Sequence, residues 1–356
     1  MQQFTLPLVA GSLSLLGLVT LASVSPELMQ RQLLFVFASF LVFWFVARIP
    51  IKSWWNWGDW LWKGLVVVLV GLLIFGRATR GAVAWLDLGW GLRFQPSQFA
   101  LLATCLVAIP KFSKKQILSD QKLLQLFWLI GAPLLLILLQ PDFGTAFLYG
   151  AAASLLVFWQ KIPKQYWRIG GAVLFFAAVI GWNFVLKPYQ RARITSFMAG
   201  SQADTSDAGY NARQSLVAVG SGQLFGKGIG HGTQSQLRFL PERQTDFIFA
   251  SLAEEWGLVG SLVVISLYAY LIQFLLKQAA RMGDPQESLL ILVIAVYFLT
   301  QVFVNIGMNI GLLPITGVTL PLVSYGGSSF LASMVLLAIV QQLVGKNSSQ
   351  DHLRVA

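Results

Sequence analysis

The chain has 356 residues, of which 56% are hydrophobic and 11% charged, and its mean hydropathy is +0.69, which is typical of a polytopic membrane protein and excludes a soluble two-domain enzyme. The net charge of +11 does not indicate nucleic-acid binding, because no soluble basic domain is present to carry it. One cysteine and two histidines exclude a disulfide framework, a thiolate metal cluster and a histidine-rich metal site.

Ten apolar segments follow one another along the chain. The first is interpreted as a permanent span rather than a secretory signal, because the first basic residue, Arg31, lies beyond it. The sequence therefore predicts an all-α polytopic membrane protein, with a single domain over residues 1–356 and about ten transmembrane helices. The predicted spans are about 4–23, 32–49, 61–76, 96–110, 123–139, 144–160, 167–186, 247–275, 288–309 and 323–344.

The basic residues of the short loops predict the orientation. With a cytoplasmic N-terminus, fourteen Lys and Arg residues lie in the inside loops and the tail, against four in the short outside loops. Basic residues concentrate on the cytoplasmic side of a membrane protein. Both termini are therefore expected to be cytoplasmic, in a bacterial cytoplasmic (inner) membrane.

One long loop, about residues 187–246, joins the seventh and eighth spans and is extracytoplasmic in this topology. It is rich in Gly, Ser and Gln between Gly220 and Gln236. Loops of this length are usually functional or disordered, and the repeated apolar residues here favour packing onto the membrane surface. These residues are Leu216, Val217, Val219, Leu224, Phe225, Leu237, Phe239 and Leu240.

Asp246 stands where this loop enters the eighth span, and Glu254 and Glu255 lie further along the same span. A charged group at such depth costs roughly 2.5–3.5 kcal/mol and usually marks a functional interior. The alternative is that Asp246 only caps the helix. Eight residues of helix separate Asp246 from Glu254 by about 12 Å, whereas the paired carboxylates of a retaining glycosidase lie about 5–5.5 Å apart. A single aspartate acting as general base is therefore favoured.

Other polar segments fall on the same outer side. Residues 76–98 carry Arg77, Arg80 and Arg93, which are candidate phosphate ligands, although interfacial snorkelling beside a tryptophan belt would also explain them. Asp142 lies in a tight turn, for which its turn-forming geometry alone is the alternative explanation. Arg191 and Arg193 follow an aromatic residue at a membrane exit.

The segment 301–329 is the last polar candidate. Gln301, Asn305 and Asn309 recur at four-residue spacing and line one helix face, and the prolines and paired glycines that follow predict an ordered, re-entrant-like loop. Irregular backbone at membrane depth is tolerated only where protein or a watery cavity satisfies it. Together these segments predict an outward-facing polar cleft with basic walls, in which arginines hold an anionic leaving group.

Several long motifs carry a resemblance to a known family. They are QPDFGTA, YQRARI, GYNARQS, GSGQLFGKG, GTQSQLRFLPERQTDFIFASLAEEWG and NIGMNIGLLPITGVTLPLVSYGGSS. In these motifs, over about Gly76 to Gln342, the chain resembles the SEDS family (shape, elongation, division and sporulation proteins), and within it the rod-shape elongation branch.

The resemblance implies a peptidoglycan glycosyltransferase that joins lipid II units outside the membrane. Asp246 would accept the proton of the acceptor sugar, with inversion at the donor and undecaprenyl diphosphate as leaving group. The implied partners are a class B penicillin-binding protein and other membrane proteins of the elongation machinery. A divalent cation, Mg²⁺, is an expected cofactor without a visible ligand set. Candidate substrate-binding residues are Arg77, Arg80, Arg93, Asp142, Arg191, Arg193, Lys227, Glu254, Asn305 and Ser324.

Two departures from the family pattern bear on the site. Where the pattern reads QPSE followed by Lys, this chain has Gln98 and Leu101, so a carboxylate and an ammonium are lost together, which the fold tolerates if they only form an ion pair. If that Glu instead assists catalysis or metal binding, this protein is slower or depends on Glu254 or Glu255. Ala84 stands where an Arg commonly precedes Trp85. Two alternatives therefore stay open: a flippase or transporter for a lipid-linked saccharide, and a weakly active scaffold of the elongation machinery.

Overall fold

The computed structural model describes residues 2–76, 83–89, 92–114, 117–185 and 207–355, and the single positions 191, 195 and 197. Three predicted phosphate ligands, Arg77, Arg80 and Arg193, lie outside the described residues.

Most of the described backbone is helical, because apolar runs in a membrane must satisfy their backbone hydrogen bonds internally. The helices are α1 (Gln2–Val24), α2 (Pro26–Val46), α3 (Ile51–Phe75), α4 (Ala100–Phe112), α5 (Asp120–Leu139), α6 (Phe143–Phe158), α7 (Lys164–Ile180), α8 (Asp207–Ser221), α9 (Thr233–Gln236), α10 (Ile248–Arg281), α11 (Pro285–Asn309) and α12 (Gly327–Val355). A short 3₁₀ helix, Pro96–Phe99, leads into α4, and a π-helical turn, Gly181–Val185, follows α7.

Seven of these helices are long and apolar enough to cross a membrane, namely α1, α2, α3, α5, α10, α11 and α12. Two shorter apolar helices, Pro96–Phe112 and Phe143–Phe158, accompany them. The predicted all-α polytopic membrane fold is therefore confirmed, while the count of ten spans and the side of the long loop stay predictions.

The most buried of the candidate spans are α11 and α12. α11 packs against α10 and α6, α12 packs against α2, and α3 packs against α4. Large side chains that are fully enclosed between these helices include Tyr149, Tyr268 and Phe298. Polar side chains are buried as well, and several of them belong to the site described below.

α10 is not one continuous helix, although the sequence predicts an uninterrupted span over 247–275. Gly257 has a φ of +68°, a left-handed conformation that favours glycine, and it breaks the helix. Residues 222–228 of the long loop fill the break. Four main-chain hydrogen bonds of 2.9–3.1 Å do this: Lys227 to Glu254, Gly228 to Glu255, Leu258 to Gln223 and Val259 to Leu224. The backbone groups freed by the kink are thus satisfied by protein.

One small β-hairpin, which the sequence does not predict, lies between α3 and the 3₁₀ helix. Strand β1 (Leu86–Asp87) pairs antiparallel with β2 (Arg93–Phe94), with Leu86 opposite Phe94 and Asp87 opposite Arg93. The hairpin touches the beginning of α12, where the Ser328 hydroxyl donates to Arg93 O at 3.1 Å and accepts from Gln95 N–H at 3.1 Å.

Candidate active site

Asp246 lies in a tight turn that leads into α10. The N–H groups of Thr245 and Phe247 both donate to Glu242 O, at 3.0 and 3.2 Å. The N-cap of α10 is Phe247, so Asp246 is not the capping residue of the helix. Its side chain is half-buried. The turn therefore places Asp246 one residue before the N-cap, at the entrance of α10.

Two asparagines of α11 hold the main chain of this turn. Asn305 Nδ2 and Asn309 Nδ2 each donate to Asp246 O at 3.0 Å, and both side chains are fully buried. Asn305 Nδ2 also donates to Val318 O at 2.7 Å. The face of α11 that carries Asn305 and Asn309 is therefore directed at the site, as predicted. The two side-chain amides donate to backbone oxygens and are buried, so they do not line an open cleft.

Asn309 also caps α10 from a neighbouring helix. Its Oδ1 accepts from Ala250 N–H at 3.0 Å, which satisfies one of the donors that a helix N-terminus leaves free. The Ser215 hydroxyl of α8 donates to Asn309 O at 2.8 Å. The Asn309 side chain thus joins the turn at Asp246 to the start of α10. Its main-chain oxygen binds Ser215, so α8 of the long loop is attached to the end of α11 at the same residue.

The segment 310–326 closes the other side of the turn. Ser324 Oγ donates to Thr245 O at 2.6 Å and accepts from Leu320 N–H at 2.8 Å, while Tyr325 N–H donates to Gln244 O at 2.9 Å. Gln301 Nε2 donates to Thr319 O at 3.1 Å. This irregular backbone is thus satisfied by protein groups, as its predicted re-entrant-like character requires.

Gly317 of this segment lies next to the Asp246 carboxylate. Its φ is +76°, and a Cβ at this position would stand 3.6 Å from Asp246 Oδ2. The positive φ is what favours glycine here, because a Cβ at 3.6 Å would be in ordinary contact with the carboxylate.

Asp142 lies at the N-terminus of α6. Its Oδ1 accepts from Thr145 N–H at 3.1 Å, and its Oδ2 accepts from Gln95 Nε2 at 2.6 Å. Burial raises the pKa of the Asp142 carboxyl, while the hydrogen bonds from Thr145 and Gln95 act in the opposite direction. The bond from Thr145 to Oδ1 is the local one expected for a turn residue. The bond from Gln95 to Oδ2 comes from a distant part of the chain, and turn geometry does not explain it.

Glu254 and Lys227 are occupied with the long loop. The Glu254 carboxylate is fully buried and accepts from Gln234 N–H (2.9 Å), Ser235 N–H (3.0 Å), Ser235 Oγ (2.9 Å), Thr233 Oγ1 (3.2 Å) and Lys227 Nζ (3.3 Å). The Lys227 ammonium donates to Thr233 Oγ1 at 2.8 Å. Both residues, expected at the substrate, hold residues 227–235 against α10 in this structure.

Glu255 makes a similar set of contacts. It is 1% exposed, and its Oε1 accepts from the Ser23 hydroxyl, from Gly230 N–H at 3.2 Å and from Gln236 Nε2 at 3.4 Å. The two adjacent carboxylates thus tie the long loop to both α10 and the end of α1.

Two other predicted cationic ligands, Arg93 and Arg191, lie in the described part of the chain. Arg93 is exposed on β2, and Arg191 Nη2 donates to Asn183 O at 2.8 Å. Of the departures from the family pattern, Leu101 and Ala84 are buried, at 2% and 1% exposure. Gln98 is half-buried and hydrogen-bonded to Gln95.

Two further residues that support the turn were not predicted. Arg243 Nε and Nη2 donate to Val24 O at 3.2 and 3.1 Å, and Gln236 Nε2 donates to Ser23 O at 3.0 Å. Partial burial lowers the pKa of the Arg243 guanidinium. These bonds fasten the end of α1 to the segment before Asp246. Arg243 and Gln236 lie in the longest motif, but nothing in the sequence indicates a distant main-chain acceptor.

A protein cage for a metal ion is not formed in the described part of the chain, where no three His, Cys, Asp or Glu residues come together. Mg²⁺ is commonly held by one or two carboxylates together with substrate phosphates. The described residues therefore do not define an Mg²⁺ site by themselves.

Comparison with known proteins places this architecture in a family. Residues 4–349 match the family FTSW_RODA_SPOVE, described as cell cycle protein. The chain is 41% identical over 325 residues to the peptidoglycan glycosyltransferase MrdB of Escherichia coli (strain K12), covering 89% of this chain and 85% of MrdB. It is 36% identical over 305 residues to a probable peptidoglycan glycosyltransferase FtsW of Thiomicrospira cyclica, covering 84% and 77%.

Solved structures have the same fold. The rod shape determining protein RodA of Thermus thermophilus matches with a TM-score of 0.72 at 27% identity, over 97% of both chains. A chain of a peptidoglycan synthase complex, solved to explain how polymerisation and crosslinking are coordinated, matches with a TM-score of 0.80 at 27% identity, over 96% of this chain and 97% of that one. The chain therefore belongs to the FtsW/RodA/SpoVE family, which is the SEDS family that its motifs resemble.

Proposed function

We propose that this chain polymerises lipid II into glycan strands on the outer face of the cytoplasmic membrane during cell elongation, with Asp246 as the general base. Its activity class is peptidoglycan glycosyltransferase, as in its relatives. The observation that carries the assignment of the base is the turn 242–247. Its main chain is held by Asn305, Asn309 and Ser324, and it ends at Phe247, the N-cap residue of α10, with Asp246 directly before it.

In the proposed reaction, Asp246 accepts the proton from the C4 hydroxyl of the acceptor sugar. The C4 oxygen then attacks the anomeric carbon of the donor from the face opposite the diphosphate. A new glycosidic C–O bond forms, the bond from the anomeric carbon to the diphosphate oxygen breaks, and the configuration inverts. Undecaprenyl diphosphate leaves with the bonding electron pair. A general base of this kind contributes typically 10²–10⁴-fold to the rate.

The leaving diphosphate needs positive charge beside it. The basic residues proposed for this are Arg77, Arg80, Arg93, Arg191 and Arg193. Lys227 is the weakest candidate of the set, because it is paired with Glu254. Mg²⁺ would add positive charge at the diphosphate, and no step above depends on it.

We further propose the topology and partners expected for such an enzyme. Both termini are cytoplasmic, and Asp246 is extracytoplasmic, where lipid II is consumed. A class B penicillin-binding protein is the proposed partner, and the likeness to a chain of a peptidoglycan synthase complex supports this. Other membrane proteins of the elongation machinery are proposed as further partners.

The test is glycan chain formation from lipid II by the purified full-length chain, with and without a class B penicillin-binding protein. Wild type should form polymer, and Asp246→Asn should retain its fold and lose polymerisation by about 10²-fold or more. Polymer formation at the wild-type rate by Asp246→Asn would overturn the assignment of the base. A wild-type protein that makes no polymer with partner and Mg²⁺ present would instead favour the flippase or scaffold alternative.

A further inference from the structure

Three side chains form a hydrogen-bonded chain that ends on Asp142, here called the amide relay. The Tyr297 hydroxyl donates to Gln98 Oε1 at 3.4 Å, Gln98 Nε2 donates to Gln95 Oε1 at 3.0 Å, and Gln95 Nε2 donates to Asp142 Oδ2 at 2.6 Å. Both amide groups have the same direction, with the NH₂ side toward the carboxylate. Hydrogen bonds in such a chain polarise one another and strengthen the last bond.

The amide relay is next to the proposed site of chemistry. A Cβ added at Gly144, two residues after Asp142, would stand 2.8 Å from Thr316 O, so the start of α6 packs directly on that loop. Gly317, the following loop residue, lies against Asp246 Oδ2. The short segment 316–317 therefore contacts both the start of α6 and the Asp246 carboxylate.

The negative charge of Asp142 is balanced by neutral donors. Among the described residues Asp142 forms no ion pair, and its hydrogen-bond donors are Thr145 of α6 and Gln95. The titratable group that faces it from α11 is Tyr297. The hairpin contributes Arg93, whose main-chain oxygen accepts from Ser328, and Asp246 lies beyond Gly317.

We propose that Gln95 and Gln98 are positioning residues, which keep Asp142 ionised and oriented so that its carboxylate accepts a hydrogen bond from a hydroxyl of the saccharide substrate. This inference rests on the proposed function. It also gives the amide at position 98 a purpose in this chain. Leu101, one helical turn later, is 2% exposed and supplies no cation, so an ionised group at position 98 would have no partner there.

The direction of the amide relay makes one substitution diagnostic. In Gln98→Glu the carboxylate at position 98 can only accept, so Gln95 must turn its NH₂ toward residue 98. Its carbonyl oxygen then faces Asp142, and an attractive contact becomes repulsive. The ionised form of Asp142 is disfavoured and its pKa rises. Gln98→Leu removes the hydrogen bond that orients the Gln95 amide but does not reverse that amide. It should therefore also raise the pKa of Asp142, by less than Gln98→Glu does.

The first measurement is the rate of lipid II polymerisation by the purified full-length protein as a function of pH. Gln98→Glu should be about tenfold slower than wild type at acidic pH and should recover at alkaline pH, since one unit of pKa changes the ionised fraction tenfold. Gln121→Glu makes the same chemical change at an exposed position near the beginning of α5 and should match wild type throughout. An equal loss for Gln98→Glu at every pH, or no loss, would overturn the inference.

The second measurement does not depend on activity. The protonated-carboxyl infrared band is titrated in wild type and Gln98→Glu, with Asp142→Asn used to assign the Asp142 band. The Asp142 band should persist to higher pH in Gln98→Glu than in wild type, and identical titrations would overturn the inference. If wild type makes no polymer, the proposed function fails, and the infrared titration alone decides on the amide relay.

Discussion

The side chain of Asn309 binds the main chain of Asp246 from a different helix, with Asn309 Nδ2 donating to Asp246 O at 3.0 Å. The same side chain accepts from Ala250 N–H, at the first turn of α10. The backbone of the proposed base is therefore held by two amide side chains of α11. Support of this kind is what a reactive side chain requires when its position must be kept within a fraction of an ångström.

Asn309→Ala should lower both stability and turnover. It leaves Asp246 O with one amide donor instead of two and Ala250 N–H without its acceptor, and an unsatisfied buried polar group costs about 1–3 kcal/mol. We expect a lower unfolding temperature in detergent and slower lipid II polymerisation. Asn56→Ala, at an exposed position near the start of α3, is the matched control and should change neither. A variant with wild-type turnover would show that Asn309 does not position the turn.

Gly257→Ala should destabilise the junction between α10 and the long loop. The residue has φ of +68°, and a Cβ there would stand 2.3 Å from Gly226 N and 2.6 Å from Leu224 O. Thermal unfolding and limited proteolysis of residues 222–236 would measure the effect. Gly71→Ala is the control, because nothing lies within 4 Å of a Cβ at this α3 position. Alanine should be better there by about 0.5–1 kcal/mol. Equal stability of the two variants would contradict this account of the kink.

Lys227→Met separates two roles of one side chain. The structure pairs the ammonium with the buried Glu254 carboxylate and with Thr233, so its loss should loosen residues 227–235. Faster proteolysis of this segment with an unchanged KM for lipid II is the expected result. A raised KM without a change in proteolysis would instead restore Lys227 as a ligand of the diphosphate.

The proposed orientation is tested by reporters fused after Val344. A cytoplasmic reporter should be active there, because Lys and Arg concentrate on the cytoplasmic side and Lys346 and Arg354 follow this position. A second fusion within residues 198–206 should report the extracytoplasmic side. A periplasmic signal from the fusion after Val344 would place Asp246 on the wrong side for lipid II polymerisation.

The sequence by itself predicted that the chain is a polytopic membrane protein of this family. It also predicted the position of most helices and the location of Asp246 at a helix entrance. These properties depend on local pattern: apolar runs of fixed length, four-residue spacing on a helix face, and motifs that are contiguous in the chain. The orientation of the Asn305 and Asn309 face toward the site follows from the same spacing.

Only the tertiary structure decided what the polar groups bind. Glu254, predicted as a substrate ligand, binds residues 227–235, which lie 19 to 27 residues before it in the chain, and Lys227, predicted likewise, belongs to that segment. The break in α10 becomes clear only in the structure, where residues 222–228 occupy it. Gln95, which was not predicted as a site residue, links Asp142 to Gln98. A buried polar side chain must find a partner, but residue type does not say which main-chain group will be within 3 Å once the helices pack.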